Sequence, residues 1–412
     1  MNSAAVERRP VPKRARPFAK AHKHTPKLLK LFLGRDLSPS RDEYDRVVDA
    51  LWDGDVEMDK LMAWMYDSDT SVARKMFKQA MEQGVESVPN APEPLRHFFN
   101  TVEKTPAWLD KELLQEGMLF IHGTGVASTY ILRDFALMGG YLLSGFNQSL
   151  VMTGALNRGT KQRIAETAKW WMDCTTPNGL ERFGNGFKTT LHVRMVHALV
   201  RRNLAARPDW DSSTWALPIS QIDMVATYLG FSVVMLGGLR LLGIPVTPRE
   251  SKAVMHLWSY ACWLMGVEEK WLVFTEREAM VLLYHTFMTQ SKPDSSSKEL
   301  AQALAQEPLE RSFPAMQSLR RKLYYHQHLS ISQYFLGNEK MAQLGLPEHI
   351  LPWFPVLSFA PRFAQYSLQH WLPNQRQKQQ QEGRKQQQEA LDSLFGDKEQ
   401  RVIQPNASHP AH

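Results

Sequence analysis

Cysteine is nearly absent from this 412-residue chain, which has only Cys174 and Cys262. Two cysteines cannot build a disulfide scaffold or a cysteine zinc cluster. Such low usage is typical of a reducing compartment, so we expect reduced thiols and a cytoplasmic location. The first 30 residues also lack the apolar core of a secretory signal, which agrees with that expectation.

The signatures of several common enzyme classes are missing. The sequence has no phosphate-cradling glycine loop, no G-x-S-x-G nucleophile elbow and no H-E-x-x-H zinc pair. It also lacks the paired E-x-x-H motifs of a di-metal carboxylate bundle. Function must therefore be sought in a less common constellation of residues.

Long hydrophobic runs and strand signals are also scarce. Neither residues 131–156 nor residues 222–246 give about 20 uninterrupted apolar residues, because side chains such as Asp134 and Arg240 interrupt them. We expect both stretches to be buried helices rather than membrane spans. No series of alternating segments joined by hairpin turns indicates a sheet.

The net charge of +7 belongs to one end of the chain. Residues 1–30 contain nine Lys/Arg and one acidic residue, a net of +8, so the other 382 residues sum to −1. This nearly neutral remainder lacks the broad basic footprint of a nucleic-acid-binding fold, and we expect no nucleic-acid partner. Segment 1–30 is predicted to be a disordered basic tail that offers a peripheral contact to an anionic membrane.

Helix start signals recur in the chain after segment 1–30. Gly243 and Gly266 fit helix ends, and capping patterns mark five helix beginnings. The pattern predicts an all-α fold, a single large helical bundle over residues 31–373 with roughly ten or more helices. Residues 374–412 are predicted to be a Gln-rich low-complexity segment, partly a solvated helix that ends in an apolar group. The start signals are at Ser40, Thr105, Ser220, Thr247 and Thr275, and the apolar group is Leu391, Leu394 and Phe395.

One histidine lies on an apolar face of a predicted helix over residues 186–204. His197 shares that face with three valines, and Arg194 and Arg201 flank it at i−3 and i+4. Two interpretations stay open, a satisfied core histidine or a metal ligand. A heme site needs such a set, with one neutral imidazole in an apolar slot and arginines at its rim for the two propionates.

A polar stripe marks a second predicted helix. Arg163, Glu166 and Thr167 lie at i, i+3 and i+4, and their helical neighbours are mostly apolar. The stripe is either a solvated face with an Arg–Glu pair or one wall of a site. The residues alone leave both interpretations open.

The order of these motifs resembles a known family. The R-x-x-x-T pattern from Arg163 to Thr167 is followed by VRMVHALVRR (193–202), Trp215 with LPISQIDMVATYLGFS (217–232), LRLLGIPVTPRE (239–250) and HLWSYACWLMGV (256–267). In order, spacing and helical context, the series resembles the heme-dependent oxygenase family of latex-clearing proteins (rubber oxygenases) and MpaB. The resemblance covers about residues 105–290.

The resemblance implies an oxidoreductase with heme b as its iron cofactor, buried in the bundle. His197 matches the axial iron ligand of the family, which reverses the core-histidine interpretation. Arg194 and Arg201 match the arginines around that ligand, with cofactor-binding roles at the propionates or structural roles. Arg163 and Thr167 match the distal R-x-x-x-T pattern, and with Glu166 they are the candidate catalytic residues.

The implied reaction is O2-dependent cleavage of carbon–carbon double bonds in an apolar, isoprenoid or lipid-like substrate. Rubber-cleaving members carry lysine where this chain has Glu166, and a distal glutamate where it has Asn147-Gln148. Three alternatives therefore remain open. They are a heme peroxygenase or monooxygenase that uses Glu166, a non-enzymatic heme-binding sensor or carrier, and an all-α interaction protein without heme.

Overall fold

The chain is helical throughout the part that the computed structural model describes, residues 9–21, 25–154 and 159–402. Those ranges contain no β-strand, which confirms the all-α prediction. Two π-helical segments, Ile131–Leu137 and Gly230–Val234, interrupt the α-helices. Short 3-10 turns lie at Phe18–Lys20, Ala50–Trp52, Val85–Ser87, Glu269–Trp271 and Glu307–Glu310.

The α-helices of the described ranges are, in chain order, α1 (Lys27–Leu33), α2 (Arg41–Asp49), α3 (Val56–Asp67), α4 (Thr70–Gln83), α5 (Glu93–Val102), α6 (Lys111–Gly123), α7 (Val126–Tyr130), α8 (Met138–Gly140), α9 (Ser144–Met152), α10 (Thr160–Cys174), α11 (Asn185–Ala205), α12 (Ser212–Trp215), α13 (Gln221–Leu229), α14 (Met235–Leu241), α15 (Pro248–Leu264), α16 (Glu276–Met288), α17 (Ser295–Gln306), α18 (Gln317–Gln343), α19 (Trp353–Trp371) and α20 (Pro373–Phe395).

Four of the five helix beginnings predicted from capping patterns are found in the structure. Four start signals form complete capping boxes, in which the cap side chain and the third helical residue exchange hydrogen bonds with the backbone: Ser40, Ser220, Thr247 and Thr275. The fifth prediction, Thr105-Pro106, is wrong. Helix α6 begins at Lys111, because the Asp110 carboxylate accepts a hydrogen bond from the Leu113 N–H at 3.0 Å.

A long helical rod runs through the core. Helix α13, the second π segment and α14 form one stretch, Gln221–Leu241, which is long and apolar enough to cross a membrane by length and composition. Among the described residues no other stretch is, and 67% of its most apolar window is buried inside the protein. Phe231 stacks on the fully buried Trp258, with ring centroids 4.9 Å apart, and Trp170 packs against both rings. The rod is thus a core element.

The N-terminal segment is packed against the bundle, so the prediction of a disordered tail over 1–30 is wrong for residues 9–21 and 25–30. Arg14 is 2% exposed, and its Nη2 lies 2.5 Å from Asp223 Oδ1. The backbone N–H groups of Lys13 and Arg14 donate to the carbonyls of Ser213 and Thr214. Residues 1–8 and 22–24 lie outside the described residues. Low apolar content and high charge wrongly indicated disorder here, because hydrogen bonds and an ion pair to the rest of the protein hold the segment in place.

The Gln-rich segment is also part of the fold, so residue 373 is not the end of the packed domain. Helix α20 packs against α6 and α10. The Gln387 side-chain amide donates to the carbonyls of Ile121 and Gly125, and Arg384 donates to the Met172 carbonyl. The apolar group at the end of α20 is buried, so the expectation of a solvated helix does not hold there. Residues 403–412 lie outside the described residues.

Candidate functional site around His197

Helix α11 buries one face and leaves the predicted histidine face partly open. Leu191, Met195 and Ala198 are buried against the core. On the opposite side, Val193, Val196, His197 and Val200 are neither fully buried nor fully exposed. Helix α11 therefore has one buried face and one largely apolar face that is only partly accessible.

The His197 imidazole is neutral at pH 7. Burial, and then the Arg201 cation, lower the pKa of His197 from 6.5 to about 4. Its Nδ1 is buried and has no hydrogen-bond partner among the described residues. The partial exposure of His197 therefore falls on atoms other than Nδ1. A neutral imidazole is the form of histidine that ligates metals.

Two ion pairs, one buried and one with a partly exposed carboxylate, fix the helix on either side of His197. Arg194 Nε and Nη2 donate to the two carboxylate oxygens of Asp55, at 2.5 and 2.7 Å. One helical turn further along α3, Asp59 accepts from Nε and Nη2 of Arg201, at 3.0 and 2.8 Å. Bidentate pairs of this kind set geometry as well as charge. The contacts favour the structural one of the two roles predicted for these arginines.

Two glycines make room for these pairs. Gly266, at the end of α15, has φ of +98°, and a Cβ there would collide with the Asp55 carboxylate. A Cβ at Gly54 would lie 2.6 Å from Asp59 Oδ2 and 2.9 Å from Arg201 Nε. The buried Gln221 amide joins the same region by donating to the carbonyls of Gly54 and Gly266. The support of His197 is therefore built from four separate parts of the chain.

The predicted catalytic residues lie on α10, which packs against α11. Arg163 is partly buried, and its Nη2 lies 3.1 Å from the hydroxyl of Tyr141. Glu166 is partly buried and accepts from the Gln162 side-chain amide at 2.8 Å. Thr167 is exposed. The stripe therefore forms with its three members in different environments, and their roles stay predictions.

Asn147, which stands near the position of the family's distal glutamate, makes structural hydrogen bonds between helices. It is fully buried, and its Nδ2 lies 2.9 Å from the Tyr141 carbonyl and within 3.3 Å of the hydroxyls of Ser296 and Ser297. The side chain thus ties α9 to the beginning of α17.

The sequence did not reveal the acidic partners or a second buried polar cluster. Asp55 and Asp59 are spaced i, i+4, which indicates that they share one helix face. The spacing does not indicate which residues they contact. In the second cluster, Asp134 on the first π segment accepts from His328 Nδ1 at 2.6 Å and from Arg133. Glu307 pairs there with Arg133 and with Arg311.

Burial lowers the pKa of two further histidines, His122 and His328, to about 4. Across residues 9–21, 25–154 and 159–402, no group of three or more His, Cys, Asp or Glu side chains could hold a metal ion.

Known proteins are similar to this chain in sequence. Residues 127–364 match the family described as ER-bound oxygenase mpaB/B'/Rubber oxygenase, catalytic domain. The chain is 25% identical over 233 residues to the rubber oxygenase of Streptomyces sp. (strain K30), a match that covers 55% of this chain and 56% of that protein. The chain thus spans little more than half the length of this curated relative.

A solved structure, that of latex clearing protein LCP in the closed state, has the same fold. The TM-score is 0.60 at 22% identity, and the match covers 83% of this chain and 91% of that one. The family match extends over more than half of the chain and includes both α10 and α11. The family resemblance seen in the sequence is thereby confirmed, and the chain belongs to the mpaB/B'/rubber oxygenase catalytic-domain family.

Proposed function

We propose that the protein is a heme b-dependent oxygenase that uses O2 to cleave carbon–carbon double bonds in an apolar, isoprenoid or lipid-like substrate. The observation that carries the proposal is His197, a neutral imidazole without a partner for Nδ1 on a partly open apolar helix face. Membership of an oxygenase family supports the same reaction class. The name of the relative, rubber oxygenase, supports a substrate of polyisoprene type.

The residues of α11 fit a heme. A heme needs one protein ligand on its proximal side, which a single neutral histidine satisfies. Val193, Val196 and Val200 give His197 apolar, partly accessible neighbours of the kind that a flat, largely apolar group would cover. The pairs of Arg194 with Asp55 and of Arg201 with Asp59 hold the ligand helix in place. We assign both arginines to positioning, because their guanidinium groups already bind carboxylates.

When bound, heme b would supply the iron chemistry that activates O2, while the protein supplies orientation and a dry surrounding. Cleavage puts one oxygen atom of O2 on each carbon of the broken double bond, so two carbonyls form and no external reductant is consumed. Glu166 is the carboxylate of α10 that we propose for proton transfer, and we propose that Arg163, which also contacts Tyr141, orients the polar stripe.

One observation favours a second candidate. Glu166 is a partly buried carboxylate at the position where rubber-cleaving relatives have lysine, and it accepts a hydrogen bond from Gln162. A carboxylate of this kind serves as an acid or base in peroxide-dependent chemistry. The runner-up is therefore a heme peroxygenase or monooxygenase that inserts one oxygen atom and leaves the carbon skeleton intact.

Isotope labelling separates the two reactions. Heme-loaded protein is incubated with unsaturated isoprenoids and unsaturated lipids under ¹⁸O₂, and products are trapped as hydrazones and analysed by mass spectrometry. The oxygenase proposal expects paired carbonyl fragments that each carry one labelled oxygen atom. Intact substrate with one added oxygen atom, formed with H2O2 and without O2, would contradict it in favour of the runner-up.

A substitution tests the role of Glu166. In the Glu166→Gln variant, the side chain keeps its size and still binds Gln162, but it cannot carry a proton. We expect loss of turnover with an unchanged heme spectrum. Unchanged turnover would remove Glu166 from the mechanism, and carbon monoxide that fails to bind the ferrous protein would indicate a closed sensor or carrier instead.

A further inference from the structure

Two contacts fix the register between helices α10 and α11. Where the backbones approach most closely, a Cβ at Gly186 would lie 2.8 Å from Cys174 Cα. Four residues further along α11, Thr190 Oγ1 accepts a hydrogen bond at 2.9 Å from Trp170 Nε1, and Trp170 lies four residues before Cys174 on α10. The two helices therefore pack side by side and run in opposite directions.

This register brings the candidate catalytic arginine to the level of the candidate iron ligand. Arg163 lies seven residues before Trp170, and His197 lies seven residues after Thr190. Seven residues are nearly two full helical turns, so each residue shares a helix face with the member of the contact that precedes or follows it. Arg163 on α10 and His197 on α11 are thus placed on facing sides of the helix pair.

A buried tyrosine contacts Arg163 at this level. Tyr141 is fully buried, and its hydroxyl oxygen accepts a hydrogen bond from Arg163 Nη2 at 3.1 Å. Burial raises the pKa of Tyr141, so the phenol keeps its proton at pH 7. A hydrogen bond from a charged donor is stronger than one between neutral groups, so this contact restrains the guanidinium group.

Tyr141 is itself held by a well-packed part of the fold. It directly follows α8 and belongs to a buried apolar cluster that includes Met138, Leu300 and Leu304. Asn147 Nδ2 donates to its backbone carbonyl at 2.9 Å. A side chain that is packed in this way has little freedom, so it can hold a longer and partly exposed arginine in place.

We propose that Tyr141 is a positioning residue of the site, which holds the Arg163 guanidinium group in one orientation on the helix face opposite His197. The inference rests on the proposed function, because it gives Arg163 a role beside the heme. Without the phenol hydroxyl, the arginine side chain gains rotamers and its donors point in more than one direction. Tyr141 acts through Arg163 and not on the substrate itself.

The infrared spectrum of the carbon monoxide complex tests this role in the full-length, heme-loaded ferrous protein. The C–O stretching band responds to hydrogen-bond donors on the distal side of a heme. We expect one narrow band in the unchanged protein and a broadened or split band in Tyr141→Phe, which keeps the ring and should keep the Soret band. Turnover should fall about tenfold or more at unchanged KM.

A double-mutant cycle tests whether Tyr141 acts through Arg163. In the Arg163→Ala background, Tyr141→Phe should change the C–O band and the turnover no further, because the group that it positions is already removed. A further change as large as the one in the unchanged background would overturn the positioning role.

A matched variant controls for the loss of a buried tyrosine hydroxyl in general. Tyr44 is buried on α2, and its hydroxyl donates to the Arg16 carbonyl. The C–O band of Tyr44→Phe should match that of the unchanged protein. Equal broadening in Tyr44→Phe, or an unchanged band in heme-loaded Tyr141→Phe, would overturn this inference alone. Absence of heme from the unchanged protein would overturn the proposed function, and this inference with it.

Discussion

Arg14 is the residue through which the N-terminal segment should stabilise the fold. Its guanidinium group lies between Asp223 and the carbonyls of Thr289 and Trp215, and the carboxylate accepts from both Nη1 and Nη2. Arg14→Ala would leave Asp223, which is 5% exposed, with only its capping contacts to Ser220. An uncompensated buried charge costs about 3–5 kcal/mol, a large part of the stability of a typical domain.

Chemical and thermal unfolding followed by circular dichroism measure this cost. The expected decrease corresponds to a melting temperature lower by about 5 °C for a chain of this size. The matched control is Arg9→Ala, whose side chain is 49% exposed in its pair with Asp53 and whose loss should cost less than about 1 kcal/mol. Equal effects of the two substitutions would refute the reasoning and return residues 9–21 to the status of a dispensable tail.

Three further predictions concern titration and packing. Three histidines, His122, His197 and His328, have a folded pKa of about 4 against 6.5 when unfolded, so the unfolded state binds more protons between these values. The free energy of unfolding should therefore fall as pH falls from 6.5 to 5, by up to about 1.4 kcal/mol per pH unit for each histidine. An unfolding midpoint in urea that stays the same over this pH range would contradict the prediction. Asp55→Ala should destabilise the fold by about 3 kcal/mol or more and weaken heme binding in a titration, because it leaves Arg194 buried and unpaired, whereas Asp53→Ala at the surface should do neither. Arg384→Ala should lower the unfolding midpoint and expose α20 to proteolysis, since it removes hydrogen bonds to Met172 and Thr176, whereas the exposed Lys385→Ala should not.

Local signals in the sequence predicted the helices well. A capping box is complete within four residues, so Ser40 or Thr275 identifies a helix beginning without knowledge of the rest of the fold. Thr105-Pro106 failed because a second cap, Asp110, lies five residues further on and satisfies the first N–H groups of α6 instead. Competition between neighbouring caps is decided by packing, which a single sequence does not contain.

The candidate site shows where local reasoning ends. The spacing of His197 with three valines on one face was readable, because it depends only on the helical period. The partners of Arg194 and Arg201 were not, since Asp55 and Asp59 lie more than a hundred residues away. Composition misled at both ends for the same reason, because Arg14 and Gln387 are held by long-range hydrogen bonds.

The central claim is that His197 holds a heme, and an absorption spectrum tests it most directly. The protein is purified after expression with adequate heme supply, together with His197→Ala and the control His192→Ala, which removes a buried histidine from the same helix. The account predicts a Soret band in the unchanged protein and in His192→Ala, and its loss in His197→Ala while the helical circular dichroism persists. A Soret band of equal strength in His197→Ala, or no heme in any of the three proteins, would contradict it.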